Sequence, residues 1–320
     1  MSEASIESIE TIESIELPAG GGLTAAALGA EARDYLALLK PRVMTLVVFT
    51  GVAGMVLAPG ALHPVLAAVA VICIAVGAGA SGAINMWYDR DIDAVMRRTA
   101  DRPIPAGRVT PDAALGFGIV MAVGAVTVMG LAVNHLAAGL LALTIAFYVL
   151  VYTMWLKRRT PENIVIGGAA GALPPMIGWA AVSGEVGLAA GSLFLIIFLW
   201  TPPHFWALAL YRSDDYRAAG VPMLPVVAGD AATRRRIVLY TLALAPAALA
   251  PWLLGVAGPV FALGAAVLSV LFVVGAARLQ RDRSERAARQ LFGFSILHLF
   301  LLFGLLMFDR LPVVTAAVHG

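Results

Sequence analysis

Apolar stretches of about twenty residues alternate with clusters of Lys and Arg, and this alternation restricts the chain to a bundle of membrane-crossing helices. Of its 22 Lys and Arg residues, all but Arg310 fall in five clusters, at 33–42, 90–108, 157–159, 212–236 and 278–289. Between successive clusters lie two hydrophobic stretches joined by a turn without a basic residue, at 63–64, 134–135, 183–185 and 255–259. The reading is all-α and polytopic, with nine spans near 43–60, 65–88, 112–133, 136–156, 163–182, 188–210, 237–255, 259–277 and 291–309. Cytoplasmic loops collect Lys and Arg, so every basic loop and the N-terminus should be cytoplasmic. A bacterial inner (plasma) membrane is the expected location. A polybasic face also suits anionic lipid headgroups, a reading that requires no catalysis.

With 60% hydrophobic and 13% charged residues, the chain lies outside the soluble range. Its single cysteine, Cys73, excludes a disulfide framework, an iron–sulfur cluster and covalent C-x-x-C-H haem attachment. The first 16 residues repeat Ser/Thr-Ile-Glu in steps of three, with five Glu and no Lys or Arg. They do not read as a targeting signal. Residues 1–32 are expected to form a disordered acidic tail and 33–320 the membrane domain.

Two basic loops, after the second and sixth spans, run about 20 residues or more and carry acidic clusters at 89–93 and 214–215. Four spans separate them, so they emerge on one face. Their spacing of about 125 residues implies two four-helix pseudo-repeats plus a ninth helix. Ala78-x-x-x-Gly82 and Gly167-x-x-x-Gly171 read as packing contacts only.

Asn85, Asp89 and Asp93 stand at steps of four in NMWYDRDIDAVMRR, at the end of the second span. Steps of four share a helix face, and like charges there repel unless something positive lies between them. One reading is a solvated helix end whose acids pair with Arg90, Arg97 or Arg98. The other is a hard divalent cation, since Mg²⁺ takes one or two carboxylates and bridges to phosphate oxygens. Arg97, Arg98, Arg102 and Arg108 follow in RRTADRPIPAGRVTP. Acids for Mg²⁺ beside arginines for phosphate oxygens make a diphosphate site. Arg212, Asp214, Asp215 and Arg217 offer a second half, and Lys157 and Arg158 can add positive charge. No Gly-rich P-loop is present, which argues against nucleotide hydrolysis.

A diphosphate site at the mouth of apolar helices points to an isoprenoid diphosphate. Burying each CH₂ of its tail is worth about 0.8 kcal/mol, so the tail should thread between helices. Loss of diphosphate leaves an allylic cation, which aromatic faces stabilise and dry walls protect. Trp87, Tyr88, Phe147, Tyr148, Phe205 and Trp206 are candidates, with ordinary core packing as the alternative.

NMWYDRDID resembles the N-x-x-x-D-x-x-x-D motif of the UbiA-type intramembrane prenyltransferases. Most of that superfamily carries D-x-x-x-D in the later loop, where this chain has Tyr211 and Asp215. That departure, in YRSDDYRAAGVPMLPV, is similar to the haem-farnesylating branch of the family. So are KPRVMTLVVFTG, RRTADRPIPAGRV, YTMWLKRRTPENIVIGGAAGALPPMIGW and FLWTPPHFWALAL. The resemblance covers about residues 35–310. It implies transfer of farnesyl from farnesyl diphosphate to a vinyl group of haem B, with water adding as a hydroxyl, to give haem O. It also implies that Asn85, Asp89 and Asp93 bind Mg²⁺-diphosphate, that Asp215 serves a second half-site, and that Arg212 contacts phosphate. A haem A synthase is an open partner, and no nucleic acid is expected.

His204, in TPPHFW, and His298 each lie about seven residues inside the basic face, roughly 10 Å deep. Each reads either as a helix-to-helix hydrogen bond or as an axial ligand to haem iron. His63, His135 and His319 fall on the far side. Rival functions are prenyl transfer to a quinone precursor or other aromatic acceptor, a transporter with helices broken at Pro174–Pro175 and Pro202–Pro203, and a passive haem-binding scaffold. The transporter should place its ionisable groups at mid-membrane, and the scaffold does not need Asn85, Asp89 or Asp93.

Overall fold

Five helices begin on a proline, at Pro41, Pro64, Pro111, Pro174 and Pro259. Proline suits the first helical turn because its missing N–H has no partner there anyway and its φ is already helical. Other starts are closed by side chains: Thr110 accepts from the Ala113 N–H, Asn134 from Ala137 and Ser284 from Ala287. His63 takes the same role for α3, its Nδ1 accepting from the Val65 N–H.

The computed structural model describes residues 30–310. The expected tail at 1–32 and His319 lie almost wholly outside them. A short helix α1 (Ala32–Leu38) meets α2 (Pro41–Leu57) at a 54° bend. Then come α3 (Pro64–Tyr88), α4 (Arg90–Val95), α5 (Pro111–Ala132) and α6 (His135–Ala146), which continues as a π-helix over Phe147–Leu156. Next are α7 (Asn163–Ala172), α8 (Pro174–Ser183), α9 (Leu188–Leu210), α10 (Ser213–Ala218) and α11 (Leu224–Val227). The chain closes with α12 (Gly229–Ala248), α13 (Ala250–Leu253), α14 (Pro259–Arg281) and α15 (Glu285–Asp309). Among the described residues, eight helices are long and apolar enough to cross a membrane, and the bent α1–α2 pair makes a ninth. The chain is a multi-pass membrane protein.

The span boundaries agree with the sequence except on the charged side. The seventh begins at Gly229 rather than 237 and the ninth at Glu285 rather than 291. Hydropathy marks only the apolar part of a helix, whereas i→i−4 bonding continues into the polar boundary. Arg234 shows this: it is buried in α12, and its guanidinium donates to Asp230 and to the Arg283 carbonyl. Pro202 and Pro203 do not break α9, which runs unbroken through both. Glycine permits one backbone contact. A Cβ on Gly54 would lie 2.0 Å from the Pro175 carbonyl oxygen, and one on Gly178 2.0 Å from that of Gly51, so α2 and α8 touch main chain to main chain.

The pseudo-repeat appears as local construction. Both α3 and α9 end on the acid-loop face and lead at once into a six-residue helix, α4 or α10. The two loops pack together: Ile92 and Met96 share a buried cluster with Ala209, Tyr216, Val221 and Met223.

Candidate active site

The helix break at Asp89 leaves the i→i−4 pattern intact. The Asp89 N–H donates to the Asn85 carbonyl at 2.9 Å, and the Asp93 N–H to the Asp89 carbonyl at 2.8 Å. Asn85, Asp89 and Asp93 therefore stay on one face, and all three are buried. The Asn85 amide is fully satisfied: Nδ2 donates to Asp89 Oδ2 at 2.7 Å and to Thr153 Oγ1 at 3.1 Å, while Oδ1 accepts from Lys40 Nζ at 2.8 Å.

Each buried carboxylate has its own cations. Asp89, with no exposed surface, takes the Lys157 ammonium and Arg158 Nη2, the latter at 3.4 Å. Asp93 takes Arg102 Nη1 at 2.6 Å. These are not the partners foreseen for a solvated helix end. Arg90 instead donates to the Trp87 carbonyl, and the exposed Arg97 and Arg98 form no ion pair among the described residues. Arg158 also grips Asp91 through two bonds of 2.7 Å, which holds the Asp91 carboxyl below its ordinary range. In the later loop Asp214 is a surface acid paired with Arg217. Asp215 turns inward: Arg212 Nη1 lies 4.0 Å from its Oδ2, which is buried and accepts no hydrogen bond.

Lys40, Thr153 and Asp91 complete this cluster, and none was singled out from sequence. Lys40 sits at the α1–α2 bend with φ of 52°, the only non-glycine residue with positive φ among those described. Thr153 belongs to the π-helical segment, which also carries Tyr148 and Tyr152, 5.3 Å apart. Gly167 makes room for that segment, because a Cβ there would stand 2.2 Å from the Tyr152 ring. Gly171, its partner in the small-residue pattern, faces open space. Of the aromatic candidates, Tyr88 lies under the Arg158 guanidinium at 4.9 Å, whereas Trp206 is core packed against Tyr240.

Hard oxygen donors of this kind fit Mg²⁺: two buried carboxylates and a third acid with an unpartnered buried oxygen. Among the described residues no three metal-ligating side chains form a ready cage. That accords with an ion taking one or two carboxylates and completing its shell with water and phosphate.

The two histidines differ. His204 lies between Trp200 and Phe292, at centroid distances of 4.3 and 4.6 Å, and its Nδ1 is 2.7 Å from Ser295 Oγ. That hydroxyl donates its one proton to the Phe292 carbonyl at 2.6 Å, so it accepts from His204 Nδ1–H. The tautomer leaves the Nε2 lone pair free. His298 is fully buried beside Phe272 and Phe294, and neither ring nitrogen has a partner.

The chain is 60% identical over 293 residues to the protoheme IX farnesyltransferase of Acidiphilium cryptum, covering 89% of this chain and 92% of that protein. The fold matches the apo structure of a UbiA homologue from Aeropyrum pernix, with a TM-score of 0.68, 18% identity, and 84% and 98% of the two chains covered. It also matches an Archaeoglobus fulgidus UbiA homologue bound to GPP and Mg²⁺, with a TM-score of 0.59, 17% identity, and 85% and 99% covered. The UbiA prenyltransferase family model matches residues 47–304, and the chain belongs to that family.

Proposed function

We propose that this enzyme transfers the farnesyl group of farnesyl diphosphate to a vinyl group of haem B, with addition of water, giving haem O and diphosphate. The observation that carries the transfer chemistry is the pairing of two buried carboxylates, Asp89 and Asp93, with Lys157, Arg158 and Arg102. The haem acceptor rests on likeness to the protoheme IX farnesyltransferases.

Asp89 and Asp93 would hold Mg²⁺, with Asp215 serving a second half-site, and the charge of the ion would offset that of the departing diphosphate. Lys157, Arg158 and Arg102, with Arg97 and Arg98 at the rim, donate to phosphate oxygens and stabilise the leaving group. Asn85 keeps Asp89 oriented. The C1–O bond of the farnesyl group breaks, and the terminal vinyl carbon forms the new bond to C1. The cation left beside the porphyrin takes hydroxide from water, and the released proton goes to solvent. Tyr148 and Tyr152 present ring faces near the allylic cation. His204, with its Nε2 lone pair free, offers an imidazole to the haem iron, and His298 is a second candidate.

In this reading the bundle sits in the inner membrane with the acid loops and N-terminus in the cytoplasm, the side that the Lys/Arg alternation favours. Incubating purified protein with haem B, farnesyl diphosphate and Mg²⁺ tests the reaction. The product should weigh as haem O by mass spectrometry. No mass change in haem, or farnesylation of a quinone precursor in its place, overturns the reading.

A further inference from the structure

A column of side chains descends from the acid-loop face between α9 and α15. Arg289 on α15 lies over the Tyr211 ring at 4.8 Å, and Arg212 approaches the same ring at 5.7 Å. Tyr211 meets Phe292 edge-on at 6.1 Å, Phe292 stacks on His204, and His204 stacks on Trp200. Tyr211 and His204 are seven residues apart, hence on one face of α9 and separated by about 10 Å of helical rise. Burial pushes the Tyr211 phenol above its ordinary value against the opposing fields of Arg212, Arg289 and Arg98, so the hydroxyl keeps its proton.

The guanidiniums are only loosely engaged. Arg289 pairs with Glu285 at 3.2 Å, and both side chains are more than half exposed, so that pair yields readily. Arg212 is 4.0 Å from Asp215, and its Nε is buried without a partner. Donors with unused capacity, set above an imidazole in an aromatic column, match one kind of acceptor: a flat apolar macrocycle with carboxylates on one edge.

We propose that Arg289, Arg212 and the Tyr211 hydroxyl form the binding site for the propionate carboxylates of the acceptor porphyrin. This rests on haem being the acceptor. The guanidiniums donate to the carboxylate oxygens, the phenol adds a third donor, and the ring edge runs down past Phe292 toward His204. The span from Tyr211 to His204 is comparable to the reach from a porphyrin's propionates to its iron.

Soret titration of the full-length protein with ferric haem B and with its dimethyl ester tests the site. Wild type should prefer the diacid by about tenfold or more, the size of a charge-assisted hydrogen bond. Arg289→Gln and Tyr211→Phe should each lose most of that preference, while affinity for farnesyl diphosphate with Mg²⁺ stays within about twofold. That unchanged affinity also reports that the variants are folded. Equal binding of diacid and ester by wild type, or full preference in both variants, overturns the proposal. So does a loss confined to farnesyl diphosphate, which assigns the guanidiniums to the diphosphate. If wild type binds neither porphyrin, the haem reading itself falls and this site falls with it.

Discussion

Lys40 Nζ donates to Asn85 Oδ1 at 2.8 Å, joining the bend before α2 to the end of α3. The bond fixes which end of the Asn85 amide faces Asp89. With the oxygen held by Lys40, Nδ2 is committed to Asp89 and Thr153. Lys40→Met removes the donor and leaves a buried amide oxygen unsatisfied, a loss of about 1–3 kcal/mol. Turnover should fall about tenfold or more, with a raised Mg²⁺ requirement, because Asp89 is no longer held. Rate measured against Mg²⁺ concentration checks this, and a wild-type curve would show that Lys40 only anchors the bend.

Asp89 and Asp93 are the least exposed of the acids in the two loops, and each is paired with a cation from a distant part of the chain or loop. Asp89→Asn and Asp93→Asn should each reduce turnover by about 10²–10³-fold, the usual effect of deleting a preorganised electrostatic group. Haem binding should survive, since His204 and Tyr211 lie on other helices. Asp112→Asn, an exposed acid in the first turn of α5, is the control and should be mild. Near-normal turnover in either of the first two variants would count against the assignment.

Much of this site was legible from residue spacing alone. Steps of four put Asn85, Asp89 and Asp93 on one face, and the face survived a helix break because the carbonyls of Asn85 and Asp89 kept their i+4 partners. The cations on those acids were harder to read. Arg102 lies nine residues from Asp93 and Lys157 is 68 from Asp89, and only tertiary packing selects them over the nearer Arg90, Arg97 and Arg98. Thr153 was hidden because α-helical periodicity does not describe a π-helix. Lys40 did leave a signal. The chain has only two lysines, Lys40 and Lys157, and both lie in this cluster. A compact ammonium suits a crowded site better than a planar guanidinium does.

Orientation is open to direct test. Reporter fusions at Gly60, Asn134, Gly184 and Gly258 should read as exterior, and those at Arg98, Arg159 and Arg217 as cytoplasmic. All seven lie outside the long spanning helices. An exterior signal at Arg98 would invert the whole arrangement and place the chemistry on the wrong side.

Packing of α2 on α8 depends on missing side chains. Gly178→Ala forces a methyl to within 2.0 Å of the Gly51 carbonyl oxygen, where only main-chain displacement can relieve it. The cost should be about 1–3 kcal/mol, seen as a lower thermal midpoint in detergent. Gly191→Ala, where a Cβ meets nothing within 4 Å, should leave the midpoint unchanged. Equal midpoints for the two variants would mean that the helices separate without penalty.

His204 carries the most specific expectation about haem. Ser295 Oγ has one proton and lies 2.6 Å from the Phe292 carbonyl, and giving the proton there assigns Nδ1–H to His204. Fixing the proton on Nδ1 is how a hydrogen-bond partner prepares Nε2 to bind iron. His204→Ala should therefore shift the Soret band of bound haem and weaken haem affinity, leaving farnesyl diphosphate binding nearly intact. Ser295→Ala keeps the imidazole and releases the tautomer, so it should weaken affinity less, by about tenfold at most. His298 has no such partner and lies on the far side of α15 from Arg289, nine residues or two and a half turns away. His298→Ala should change the spectrum only if a second axial position is filled. Unchanged spectra and affinities in both single variants and in the double variant would rule out ligation by either histidine. A shift in His298→Ala alone would move the haem to the α14 side and away from Tyr211.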